Sequence, residues 1–157
     1  MDPAQTTILR HLLLTQETAA LGTLHEGQPF VSMVPFAMLP GATGFVIHVS
    51  QLASHTQDML LNPDVSLLVM ALRVPGVPAQ ATARITAQGQ ALPCPEADQR
   101  HAEARSVYLA RFPDSEPMFG FADFSLFVIR PTSIRFVGGF AQARTLSPAA
   151  FAEVLKS

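Results

Sequence analysis

A chain of 157 residues is long enough for one domain with a real core and too short for two ordinary ones. Hydrophobic residues make up 48% and charged residues 14%, which excludes a disordered or acidic interaction module. The net charge of -2 offers no basic stripe for nucleic acid, and low charge with positive mean hydropathy points to apolar surface covered by a second copy.

Asp2-Pro3 is a helix cap followed by proline at the first helical position, and Ile8, Leu9, Leu12 and Leu13 give an apolar face, which predicts a helix over 3–16. The same stretch, with an acid at position 2 and no long apolar run, does not read as a signal peptide. No segment reaches the roughly 18 apolar residues of a membrane span. The expectation is a soluble, cytoplasmic single domain over 1–157, and the lone Cys94 suits a reducing compartment.

"TAALGTLHEGQPFVSMVPFAML" predicts two strands joined at a turn containing Gly27, and "PGATG" leads into a third strand, "FVIHVS". Ser54-His55-Thr56-Gln57 fits a capping box, so a helix starts there, with Leu52, Met59 and Leu60 expected on its apolar face. Pro63 ends it. "VSLLVMAL" reads as a strand buried on both faces, and "QATARITAQGQAL" as a long strand kinked near Gly89. "PCPEADQRHAEARSVYLARF" predicts a largely exposed helix opening at Pro95 and Glu96. "DFSLFVIR" and "TSIRFVGGF" read as two strands separated by Pro131, and Ser147-Pro148 caps a last helix through Phe151 and Leu155. Strands with helices inserted singly predict an antiparallel barrel of α+β class.

The familiar catalytic signatures are missing: there is no GxSxG, P-loop, GxGxxG or paired-cysteine spacing. His11, His25, His48, His55 and His101 never stand four apart, so no zinc site is expected. The hydroxyls and imidazole at 54–56 either cap a helix or hold an anion at its free N–H groups. Arg84, inside a strand between Ala83 and Ile85, faces solvent or pairs with a negative group. Ser32 is a core hydroxyl or a ligand donor, and Gly138-Gly139 is a turn or a close approach of backbone to a flat ligand.

The ordered set "LGTLHEGQPFVSMVPFAM", "FVIHVSQLASHTQDMLLNPDVSLLV", "ARITAQGQA", "YLARFPDSE" and "DFSLFVIRPTSIRFVGGFAQA" resembles the pyridoxamine-phosphate-oxidase-like FMN-binding split barrels. It is most similar to their branch containing the HugZ-type haem-utilisation proteins. The resemblance covers nearly the whole chain. It implies a six-stranded antiparallel split barrel with flanking helices, assembled as a homodimer with FMN at the interface. Carried over, it places phosphate contacts at His48, Val49, Ser54 and His55, with Ser50 among the other FMN-binding residues. Ser32, Val34 and Phe36 fall on the strand along the isoalloxazine ring, and Arg84 on a polar contact to FMN.

The departures narrow the reading. Ser54 and His55 stand where the oxidases carry an Arg-Lys pair, and Phe36 stands where they carry a lysine for the substrate phosphate. The chain ends "FAEVLKS" without their Arg-x-His clamp, which argues against vitamin B6 as substrate. The haem-degrading relatives ligate iron through a carboxy-terminal histidine, and none follows His101, so a haem role would fall to His48, His55 or His101. The expectation is an FMN-dependent oxidoreductase acting on a small molecule. The alternatives are a haem-binding or haem-degrading protein, or a flavin binder without catalysis. No catalytic acid, base or nucleophile is marked out.

Overall fold

Asp2 and Pro3 start the first helix as their order predicts. In the computed structural model, which describes residues 1–156, α1 runs Pro3–Thr15 and Asp2 Oδ1 accepts from the Ala4 N–H at 3.0 Å. Strands β1 (Thr18–His25) and β2 (Gln28–Pro35) form a hairpin. Glu26 and Gly27 turn it with φ of 50° and 77°, the primed two-residue geometry that matches strand twist. Then follow β3 (Ala37–Met38), β4 (Phe45–Ser50), α2 (Ser54–Leu61) and β5 (Asp64–Met70). After a loop come β6 (Arg84–Pro93), α3 (His101–Arg111), a 3-10 segment (Pro113–Gly120), β7 (Phe124–Val137), β8 (Ala143–Leu146) and α4 (Pro148–Lys156).

The strands form one antiparallel sheet in the order β2-β1-β5-β6-β7-β4-β3, with β8 also on β7. The sheet curls, and a hydrogen bond between Ser32 on β2 and His55 on α2 ties its first strand to the helix that follows β4. This is the α+β split barrel, with eight strands rather than six. Leu21, Phe36, Phe45, Ile47, Leu67, Phe127 and Phe136 fill its interior beneath α1 and α4. A second cluster lies outside the barrel, where Ala104 and Tyr108 of α3 cover Val46, Leu126 and Val128. Burying such side chains is worth about 1.5–3 kcal/mol each, which fixes α3 on the β4–β7 face.

Several expectations need correcting. Pro131 does not separate two strands: β7 runs through it, because Pro131 pairs with Gly89 at a register shift between Gln88 and Gly89. The missing proline N–H is tolerated at that bulge, where the Thr132 hydroxyl donates to the Gln88 carbonyl at 3.2 Å. The "VSLLVMAL" strand buries Val65, Leu67 and Val69 but leaves Ser66 and Leu68 half-exposed, so it alternates instead of being buried on both faces. α3 begins at His101, not Pro95, since Asp98 turns the chain first by accepting from the Arg100 N–H at 2.8 Å. Its Ala104 and Tyr108 are buried.

Ser54 does not cap α2. The cap position is Ala53, without a side-chain bond, and Ser54 is exposed. The turn is held instead by Ser50 Oγ, which donates to Asp123 and accepts from the Leu52 N–H. Thr56 and Gln57 donate back to the carbonyls of Ser50 and Gln51, each at 2.7 Å. Leu52 and Leu60 are exposed, so of the expected apolar face only Met59 is buried, beside Thr56 and Asp58.

Candidate functional site

His48 is the one polar residue in "FVIHV", and β4 places its ring on the outer face of the barrel, under α3 and the 3-10 segment. Phe119 stacks on it with ring centroids 3.8 Å apart and planes 8° from parallel, and Tyr108 and Phe124 close the sides. The guanidinium of Arg105 lies over Phe119, 5.1 Å from its centroid. His48 is 7% exposed and its Nδ1 has no hydrogen-bond partner among the described residues. Burial, with His101 nearby, pushes its pKa down to about 4, so the imidazole is neutral at physiological pH.

Beside this stack opens a cleft of about 520 Å³, lined among others by His48, Glu96, His101, Arg105, Glu116 and Phe119. That is the size of small-molecule and cofactor sites, roughly 300–1,000 Å³. His101 Nδ1 meets the Cys94 carbonyl at 2.8 Å. A carbonyl only accepts, so Nδ1 carries a proton, and in the neutral ring the lone pair is on Nε2. Cys94 also lines the cleft, but burial raises its thiol pKa, which keeps it protonated and a poor nucleophile. No group of three or more metal-ligating side chains gathers among the described residues. A second groove of about 660 Å³ is lined by residues of α1, α3 and β3, including Arg111. Arg111 is spent on α1 carbonyls, including Leu13 at 3.0 Å, and on the face of Phe36.

The residues singled out in the sequence divide into three groups. Ser32 and His55 meet, with Ser32 Oγ 3.1 Å from His55 Nδ1, and Ser50 and Ser54 lie in the same β4–α2 turn. Burial lowers the His55 pKa, so His55 is a weak cation at best. Val34, Phe36 and Val49 point into the core, leaving only their backbone for a ligand. Arg84 stands apart: it pairs with Val137, whereas His48 pairs with Leu126 at the other end of β7. Arg84 Nη1 donates to the carbonyls of Gln80 and Thr82, and the half-exposed side chain pairs with no anion among the described residues. Gly138-Gly139 forms the turn into β8.

Behind the turn, Asp58 is 3% exposed and binds α2 to the hairpin, accepting from Thr23 Oγ1 at 2.8 Å and meeting His25 Nδ1 at 2.7 Å. The Asp58 carboxylate raises the His25 pKa. The stability this adds is complete below the unfolded-state histidine pKa, about 6.5, and is lost as pH rises through the raised folded value. Asp58→Asn should therefore lower the melting temperature more at pH 6 than at pH 8. An equal loss at both values would show that His25 carries no linked proton.

Residues 6–138 match the sequence profile of pyridoxamine 5'-phosphate oxidase. The chain belongs to that family. Within the family it is 41% identical over 120 residues to the chloroplastic noncanonical haem oxygenase HOZ of Arabidopsis thaliana, covering 76% of this chain. This chain spans only 35% of that relative's length. Its fold superposes on a haem-binding protein from Mycobacterium smegmatis with a TM-score of 0.85 at 28% identity, over 98% of this chain and 62% of the other. ChuZ of Campylobacter jejuni shares the fold at 19% identity and a TM-score of 0.77, over 92% of this chain and 59% of its own. The sequence marks His48 as a phosphate contact and His48, His55 and His101 as candidates for a haem role. The structure brings His48 and His101 to one cleft and leaves His55 outside it. Arg105 and Phe119 carry no mark in the sequence beyond the "FGF" run after α3.

Proposed function

We propose that this member of the family is a haem-binding protein, and that oxidative breakdown of the bound haem is its reaction. The observation that carries this reading is the cleft beside His48. Its walls, Phe119, Phe124 and Leu126, suit the faces of a macrocycle. Two imidazoles offer nitrogen ligands, and Arg105 offers a guanidinium for a propionate. Iron held there would supply reaction with dioxygen, given an external reductant. The chain's own residues would bind the ring, orient it and exclude water. The identity to a haem oxygenase over most of this chain supports the reading.

The FMN reading has one observation in its favour, the Ser32–His55 pair at the turn where the resemblance places the flavin phosphate. Against it, neither Ser54 nor His55 is a permanent cation, and a flavin phosphate is close to a dianion. Arg84 lies at the other end of β7 and would reach such a phosphate only from a second protomer.

The protein is proposed to act as a homodimer. Its edge strand β2 exposes Val31 and Met33 by 69% and 63%, and the loop after β5 exposes Leu72 by 81%. A second copy covering this surface accounts for the low charge. No helix is long and apolar enough to cross a membrane among the described residues. The test is to incubate the protein with haemin, sediment the complex at micromolar concentration, and then add ascorbate in air. The expected result is a dimer whose haem absorption band decays after ascorbate. A monomer refutes the dimer, and a stable band refutes breakdown.

A further inference from the structure

Resting on the haem reading above, we infer that His101 is the iron ligand, through Nε2, and that the His48–Phe119 stack is the aromatic wall beside it. Histidines that bind metals almost always donate their other ring N–H to a carbonyl or carboxylate, which fixes the tautomer and the ring. His101 has that arrangement in place, with Nδ1 held by the Cys94 carbonyl at 2.8 Å. The Cys94 carbonyl is itself fixed, since the Cys94 N–H donates to Leu126 on β7 at 2.8 Å. His101 lines the cleft, and with Nδ1 committed, Nε2 is the nitrogen left for a ligand.

The other histidines serve less well. Phe119 covers a face of His48, and nothing orients its buried Nδ1. His25 is engaged with Asp58 and His55 with Ser32, both outside the cleft, and His11 is exposed on α1. Glu96 and Glu116 also line the cleft, so Arg105 is the lining group that attracts a propionate.

The experiment is a haemin titration followed by visible absorption, in wild type, His101→Ala, His101→Asn and His11→Ala. His101→Asn keeps a donor for the Cys94 carbonyl but has no imidazole lone pair, which separates ligation from the turn. Both His101 variants should bind haemin at least about tenfold more weakly, with an altered band, while His11→Ala matches wild type. Free imidazole should restore the wild-type band in His101→Ala, which a merely structural role would not allow. Wild-type spectra and affinity in both His101 variants would overturn the ligand assignment and leave haem binding standing. A wild type that binds no haemin would overturn both.

Discussion

Gly89→Ala is expected to destabilise the fold by about 3 kcal/mol, the upper end of the usual cost of forcing atoms into packed space. Gly89 faces Pro131 at the bulge of the β6–β7 ladder. A Cβ there would overlap the Arg130 carbonyl oxygen and lie 3.0 Å from its carbon and 3.1 Å from Pro131 Cα. All three are backbone atoms, so no side chain can swing aside, and β6 or β7 must move. The bulge also sets the register of β7 on both sides, and so the positions of Leu126 and Ser125 beside the cleft. A urea titration should show a clearly lower midpoint for the variant. An unchanged midpoint would mean that the two strands are not so close.

The second large effect concerns His48. Its pKa of about 4 in the folded chain lies below the unfolded value of about 6.5. Between these values the unfolded chain binds the extra proton, so the neutral ring's contribution is complete above pH 6.5 and falls away toward pH 4. After allowance for solvent screening at the cleft, the loss is on the order of 2 kcal/mol. His48→Phe keeps an aromatic ring against Phe119 and removes the titration. The apo variant should match or exceed wild type at pH 7 and be clearly more stable at pH 5, measured by denaturant midpoints. Parallel pH profiles would show that His48 does not titrate with unfolding.

Much of the barrel can be read from local chemistry. The Asp2-Pro3 start, the Glu26-Gly27 turn, the end of α2 before Pro63 and the Ser147 cap each depend on a few neighbouring residues, and each forms as expected. The misreadings arise where distant partners override local preference. Pro131 reads as a break until Gly89 supplies a bulge for it. Ser54 reads as a cap until Asp123, 73 residues beyond Ser50, fixes the turn through Ser50 instead. The cleft is the extreme case, because His48, His101 and Phe119 come from β4, α3 and the 3-10 segment and share no local pattern. The family resemblance singled out His48 and the hydroxyls of the helix start, but gave no role to Phe119, which stacks on His48 from the 3-10 segment much later in the chain.

The cleft is expected to take haem in preference to a flavin. The direct measurement is a haemin titration of the wild-type protein, repeated with excess FMN present. The expected result is a saturable change in the haem absorption band that FMN leaves unaltered, and no quenching of FMN fluorescence by the protein. Saturable FMN quenching with no change in the haem band would contradict it.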